Sequence, residues 1–232
     1  MKIAAISDFH GNLYALMKVF EDINEQNVDK IVCLGDLVGY GPHPNEVIAL
    51  IKRREIPCIK GNYDASVVDG DYTFIRNTTI NSFSLPWAVN EVRISNKYFL
   101  ESLPSRLEYS INGVNIVFTH GSPNKINEYL FENGENTAQV MKDFSGDVLV
   151  CAHTHIPCLK KFDNKILINV GSVGKPKIGR PNCTYAIIDI SDNGEVKVKF
   201  RELEYEFKRI VKDCTMLKFP AAITNSYESG QE

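Results

Sequence analysis

Long apolar runs, paired cysteines and a surplus of basic residues are all missing from this chain of 232 residues. No stretch is apolar for long enough to cross a bilayer, so no membrane partner is expected. The amino terminus reaches Asp8 and His10 before the apolar region of a signal peptide could form. The six cysteines, Cys33, Cys58, Cys151, Cys158, Cys183 and Cys214, make no C-x-x-C pair and mostly sit in apolar runs. That pattern argues against a structural zinc site or a disulfide framework, and for reduced, buried thiols in a cytoplasmic protein. Lysine and arginine total 26 against 29 aspartates and glutamates, a net charge of −3. No basic face for long nucleic acid follows from that balance, although a short nucleotide is not excluded. Histidine is scarce as well, with only five in the chain.

What is present is an ordinary globular composition, 44% hydrophobic and 24% charged, which suits one domain over residues 1–232. Apolar runs at Ile3–Ser7, Lys30–Leu34 and Ile56–Lys60 read as strands. Between them, helical spacing over Leu13, Leu16, Met17, Phe20 and Ile23, and again over Asn45–Arg54, predicts two helices, the first capped by Asn12. Strand-helix-strand-helix-strand implies a parallel sheet. Residues 65–105 break the rhythm and read as a helical insertion or lid; they hold the single tryptophan, Trp87. Further on, Asn112-Gly113, Asp163-Asn164 and Asp192-Asn193-Gly194 mark three hairpins, so the second half is mainly antiparallel. Residues 203–232 form a C-terminal extension, with a helix over Glu206–Cys214 and a tail expected to fray.

Polar residues cluster where apolar strands end: Asp8-x-His10, Gly35-Asp36, Gly61-Asn62, His120-Gly121 and His153-Thr154-His155. The carboxyl edge of a sheet is where α/β proteins bind ligands. Four of the five histidines fall in these motifs, which packing does not explain. Alternate residues of an extended segment point to opposite sides. His153 and His155 therefore need an irregular loop, or one metal each, to serve a common site. A donor set of Asp, His and Asn without thiolate suits manganese, iron, zinc, nickel or cobalt better than calcium. Two divalent ions and a hydroxide against Asp8 and Asp36 leave a charge of about +1, attractive to phosphate.

The ordered motifs D-x-H, G-D, G-N-x-[DE], H-G and H-x-H resemble those of the calcineurin-like metallophosphoesterase superfamily. The stretches Gly35-Asp36-Leu37-Val38-Gly39-Tyr40-Gly41-Pro42 and Asn169-Val170-Gly171-Ser172-Val173-Gly174 resemble its small bacterial and archaeal phosphodiesterase-like branch. The resemblance covers about residues 1–200. It implies a four-layer αββα sandwich of two mixed β-sheets, an α/β fold with mixed α+β character and a helical insertion. It also implies two divalent transition-metal ions, manganese foremost. Asp8, His10 and His155 would bind the first, Asn62, His120 and His153 the second, and Asp36 would bridge.

Implied too is a hydrolase acting on a phosphorylated small molecule or nucleotide through hydroxide held between the ions. Phosphodiesters or nucleotide phosphoanhydrides, dinucleoside polyphosphates among them, are the expected substrates. The alternatives are a phosphomonoesterase of the same fold, a nuclease, and a non-catalytic protein-binding scaffold; the last is disfavoured because every ligand position is filled. Two positions depart from the family pattern: Ala152 stands where the last motif usually has glycine, with little consequence expected, and the other lies in the third motif. The third motif, commonly Gly-Asn-His-Asp, is here Gly61-Asn62-Tyr63-Asp64. A tyrosine, with an unperturbed pKa of about 10, is a poor proton donor to a leaving group at neutral pH. Tyr63, Asp64 and His43 are the candidate catalytic residues, His43 as a substitute acid or a plain loop residue. Tyr40 and Ser172 are candidate substrate neighbours. Lys175, Lys177 and Arg180 form either a solvated face or a hold for the second half of a dinucleotide.

Overall fold

The computed structural model describes residues 1–231. In chain order the strands are Lys2–Ile6 (β1), Lys30–Cys33 (β2), Arg106–Ile111 (β3), Val114–Thr119 (β4), Val148–Cys151 (β5), Cys158–Phe162 (β6), Lys165–Asn169 (β7), Cys183–Ile190 (β8) and Val196–Leu203 (β9). The helices are Leu13–Glu25 (α1), Pro44–Arg53 (α2), Asn62–Asp69 (α3), Thr79–Glu91 (α4), Ile94–Ser102 (α5), Glu135–Asp143 (α6), Phe207–Met216 (α7) and Ala221–Ser229 (α8). One sheet has the order β2-β1-β8-β9 and the other β3-β4-β5-β7-β6. Both are mixed. β1 pairs parallel with β2 and antiparallel with β8, while β5 lies parallel to both β4 and β7.

The layers follow from the alternation of side chains along each strand. Ile3 and Ala5 of β1 meet Phe118, Val150 and Ile168 of the other sheet in the core between the sheets. Ala4 and Ile6, one residue out of step, meet Leu16, Val19, Val47 and Ile48 of α1 and α2. On the far side, Val140 and Met141 of α6 cover Leu149, Cys151 and Leu167. Helix, sheet, sheet and helix thus stack as αββα. β5 is buried along its whole length, and each such large apolar side chain contributes roughly 1.5–3 kcal/mol. Asn12 caps α1 by accepting a hydrogen bond from the Ala15 N–H at 3.1 Å. The β3–β4 turn places Asn112 and Gly113 at φ 51° and 83°, the left-handed pair a two-residue hairpin requires.

Three expectations are corrected. Ile56–Lys60 is not a strand. Pro57 has no N–H to give a ladder, and the segment touches β2 through the single Cys33–Cys58 bridge. The tail expected to fray holds helix α8, anchored by buried Ile223, Ser226 and Tyr227. The Gly61-Asn62 motif does not end a strand; Asn62 opens helix α3. Among the described residues no helix is long and apolar enough to cross a membrane.

Candidate metal centre

Parallel pairing brings the motif loops together. Asp8 and His10 follow β1, and Asp36 follows its parallel neighbour β2. His120 follows β4, and His153 and His155 follow its parallel neighbour β5. The loops are bound to one another: Asp8 N–H donates to Gly35 O at 3.0 Å, and His10 N–H to Asp36 O at 2.9 Å. Asp8, His10, Asp36, Tyr40, His153 and His155 all have positive φ, between 47° and 65°. L-residues adopt this left-handed conformation at a cost of roughly 1–2 kcal/mol each. For His153 and His155 this is the irregular loop their spacing called for, since it turns both rings toward the centre. Gly61 serves by closeness: a Cβ there would collide with the Asp36 carboxylate.

Two sets of buried side chains converge. In one, ligand atoms of Asp8, His10 and His155 lie within 4.8 Å of one another; in the other, those of Asp36, His120 and His153 do. Three histidines have their outward nitrogen committed to a carbonyl. His10 Nδ1 meets Val38 O at 3.0 Å, His120 Nδ1 meets Leu34 O at 2.7 Å, and His155 Nδ1 meets Lys175 O. A carbonyl can only accept, so these nitrogens each carry a proton and Nε2 is the nitrogen turned inward, able to bind a metal when it is unprotonated. Asn62 is fixed likewise: its Nδ2 donates to Phe74 O at 3.2 Å, which turns Oδ1 inward, 2.9 Å from His120 Nε2. His153 gives Nε2 to Asn127 O at 3.1 Å.

The interior is therefore lined with carboxylate and amide oxygens and inward-facing imidazole nitrogens. Asp8 Oδ1 and Asp36 Oδ2 are buried and have no hydrogen-bond partner. His155 Nε2 lies 3.3 Å from Asp8 Oδ1, His120 Nε2 3.3 Å from Asp36 Oδ2, and His10 Nε2 3.6 Å from both carboxylates. Acceptors crowded at such distances in a dry interior are costly unless cations lie between them. Oxygen and imidazole donors without thiolate fit divalent transition metals.

The titration behaviour agrees. Burial opposes ionisation of Asp8, yet His155, His10 and His120 hold its carboxyl well below the usual range. Burial also lowers the His120 imidazole, but Asp36 and Asp8 outweigh it and push the pKa up to about 10. Burial brings His153 down to about 3 and His155 to about 4. Neutral imidazoles are the form that binds metal. The proton on His120 stands where the two carboxylates call for positive charge.

The remaining candidates have other neighbours. Asp64 Oδ2 accepts from the N–H groups of Asp36 at 2.8 Å and Gly61 at 3.0 Å, and its Oδ1 accepts from Leu37 N–H at 2.9 Å. It braces the Asp36 turn from behind. Burial and nearby Asp36 raise its carboxyl to about 6, against the pull of those donors. Tyr63 OH lies 2.7 Å from Asn81 Oδ1 and 2.5 Å from Tyr40 OH. Because Asn81 Nδ2 donates to Arg76 O, its Oδ1 must accept, so the single Tyr63 proton goes to Asn81. Burial raises the Tyr63 phenol well above its ordinary value. Tyr40 packs edge-on against His10 with ring centroids 4.7 Å apart. Ser172 Oγ is buried and donates to Asp8 O at 2.9 Å, supporting the loop rather than facing outward.

His43 is turned away from both sets. Its Nε2 lies 3.2 Å from Asp213 and its ring packs on Tyr14. The basic cluster divides: Lys175 is fully buried, Arg180 is tied to Glu202, and Lys177 reaches the cavity beside the centre. That cavity is also lined by Arg76, Asn81 and Tyr129, which the sequence did not single out. They lie in segments without strand-end context, and no local signal marks them. Tyr129 packs on His153 at 4.2 Å between centroids.

Comparison with known proteins adds family context. The sequence profile described as calcineurin-like phosphoesterase superfamily domain matches residues 1–193. An uncharacterized protein of Methanocaldococcus jannaschii is 34% identical over 236 residues, covering 94% of this chain and 93% of that protein. The phosphodiesterase YfcE of Escherichia coli is 26% identical over 199 residues, 82% of this chain and 88% of its own length. Among solved structures, the metallophosphoesterase of Sphaerobacter thermophilus superposes with a TM-score of 0.83 at 27% identity, over 99% of this chain and all of that one (100%). A hypothetical protein of Pyrococcus horikoshii shares the fold with a TM-score of 0.88 at 24% identity, covering 99% of this chain and 98% of that one.

Proposed function

Since this chain belongs to the calcineurin-like phosphoesterase superfamily and is a hydrolase of phosphoric esters, we propose that it cleaves phosphodiesters or nucleotide phosphoanhydrides at a centre of two divalent transition-metal ions. Asp8, His10 and His155 would hold one ion, Asn62, His120 and His153 the other, and Asp36 would bridge them. The observation that carries this reading is the buried interior lined by acceptors, with Asp8 Oδ1 and Asp36 Oδ2 left without a partner. When bound, such ions supply a nucleophile from water at neutral pH and positive charge for the phosphoryl oxygens. The protein's part is placement. Val38, Leu34 and Lys175 carbonyls fix three imidazoles in the binding tautomer, and Asp64 fixes the Asp36 turn.

Tyr63 tilts the choice of substrate. Its proton is committed to Asn81 and its phenol is held far above neutrality, so it cannot assist a poor leaving group. A diester or anhydride with a stable leaving group needs no such help, which favours these classes over general monoesters. Metal analysis of the purified protein, with a panel of monoesters, diesters, cyclic nucleotides and dinucleoside polyphosphates in manganese, nickel or magnesium, tests the reading. Close to two ions per chain and turnover of diesters or anhydrides are expected. Protein that binds no transition metal and turns over nothing would overturn the enzymatic reading and favour a binding scaffold.

A further inference from the structure

Cations stand in matching positions on the two sides of the centre. On one side the guanidinium of Arg76 lies over the Tyr129 ring at 5.9 Å, and Tyr129 packs on His153. On the other, the ammonium of buried Lys175 lies over the Tyr40 ring at 5.5 Å, and Tyr40 packs on His10. Each side thus has a cation, a tyrosine and a histidine in succession, one histidine from each convergent set. Lys177 joins Arg76, Tyr40 and Tyr129 in lining the cavity between them. Arg76 comes from the loop between α3 and α4, whereas Lys177 comes from the loop after β7. Positive side chains from separate segments therefore converge on one mouth in a protein of net charge −3.

We propose that Arg76 and Lys177, backed by Lys175, form a subsite for a second phosphoryl group, so that the preferred substrate is a phosphoanhydride such as a nucleoside diphosphate derivative. The inference rests on the function proposed above and names its substrate class. A single-phosphate diester presents one anionic oxygen pair, which the centre itself would engage. A second phosphoryl group extends outward to where a guanidinium can grip it through two parallel hydrogen bonds and an ammonium can add a point charge. The cavity, at ≈ 20 Å³, holds about one water, so entry of such a group displaces part of the wall. The 70–78 segment that carries Arg76 is tied to the site through Phe74 O, which accepts from Asn62, and Arg76 O, which accepts from Asn81.

Calorimetric titration of the metal-loaded protein with AMP and with the non-hydrolysable adenosine 5′-(α,β-methylene)diphosphate tests the subsite. The diphosphate should bind the wild type at least about tenfold more tightly, a gain of about 1.4 kcal/mol. In the Arg76→Gln/Lys177→Gln double variant this ratio should fall to within about twofold, with each single variant in between. Arg180→Gln removes the same single charge as either single variant, from the surface pair with Glu202, and should keep the wild-type ratio. A wild-type ratio near one, a ratio that survives in the double variant, or an equal loss in Arg180→Gln would overturn the subsite. Hydrolysis of bis(p-nitrophenyl) phosphate by the same wild-type preparation separates the two claims. If it is cleaved while the ratio is near one, only the subsite fails; if no phosphoester is cleaved, the function proposed above fails.

Discussion

Asp64 belongs to neither ligand set, yet its removal should disable the centre from behind. Replacing it with alanine strands three buried N–H donors, those of Asp36, Leu37 and Gly61. An unsatisfied buried donor costs about 1–3 kcal/mol, so the simple sum would approach ~6 kcal/mol. Water can enter the space the carboxylate leaves and recover part of that, so a loss of about 3–4 kcal/mol is expected. In a chain of this size, roughly 2–4 °C per kcal/mol, melting should fall by about 10 °C. Asp64→Asn keeps the shape. Its one oxygen can serve Asp36 and Gly61, but its amide then faces Leu37 N–H, for a cost of about 2 kcal/mol and a fall of about 5 °C. Thermal melting by circular dichroism in chelator measures both. Titration with manganese should show weaker binding in the same order, because Asp36 would lose its brace. An alanine variant that melts within about 2 °C of wild type and binds manganese normally would refute the bracing role.

Asp36→Asn should abolish turnover and leave fewer than two ions per chain by elemental analysis, because one amide oxygen could not replace the bridge proposed for the carboxylate. Tyr63→His should raise monoester relative to diester hydrolysis in steady-state assays; an unchanged ratio would remove position 63 from substrate choice. Asp22 is bound by Arg201 at 2.9 Å and by Tyr185 at 2.6 Å, and Arg201 first among them holds its carboxyl below the usual value. A depressed carboxyl stabilises the fold above the unfolded pKa and loses that effect as pH falls through the folded one. Asp22→Asn should therefore cost about 2 kcal/mol at pH 7 in urea denaturation, with the gap to wild type closing below pH ~4.

The motifs at strand ends made the centre legible because polar residues at the ends of apolar runs have few structural explanations. The same logic found β1, β2, β4 and β5, each of which ends in buried residues. It overreached at Ile56–Lys60, where apolar composition is right but Pro57 denies the ladder a donor. It fell short at α8, where Tyr227 and Ile223 sit at helical spacing in a short stretch weak in apolar periodicity. The cavity residues Arg76, Asn81 and Tyr129 were silent for another reason. They come from loops and a helix start that only tertiary packing brings to the site. Lys175 could not be read as buried, since its burial depends on Tyr40 and on Gln231, far along the chain.

The left-handed backbone at Asp8, His10, Asp36, His153 and His155 bears on how such a protein can drift. Glycine at any of these positions would relax the turn by roughly 1 kcal/mol while erasing a ligand. Selection for stability alone therefore runs against the centre, and these side chains persist only while their chemistry is used. A lineage released from catalysis should lose them early, keep the αββα frame, and turn the rim into ordinary glycine turns. In this chain all five positions carry side chains rather than glycine, as the proposed centre requires.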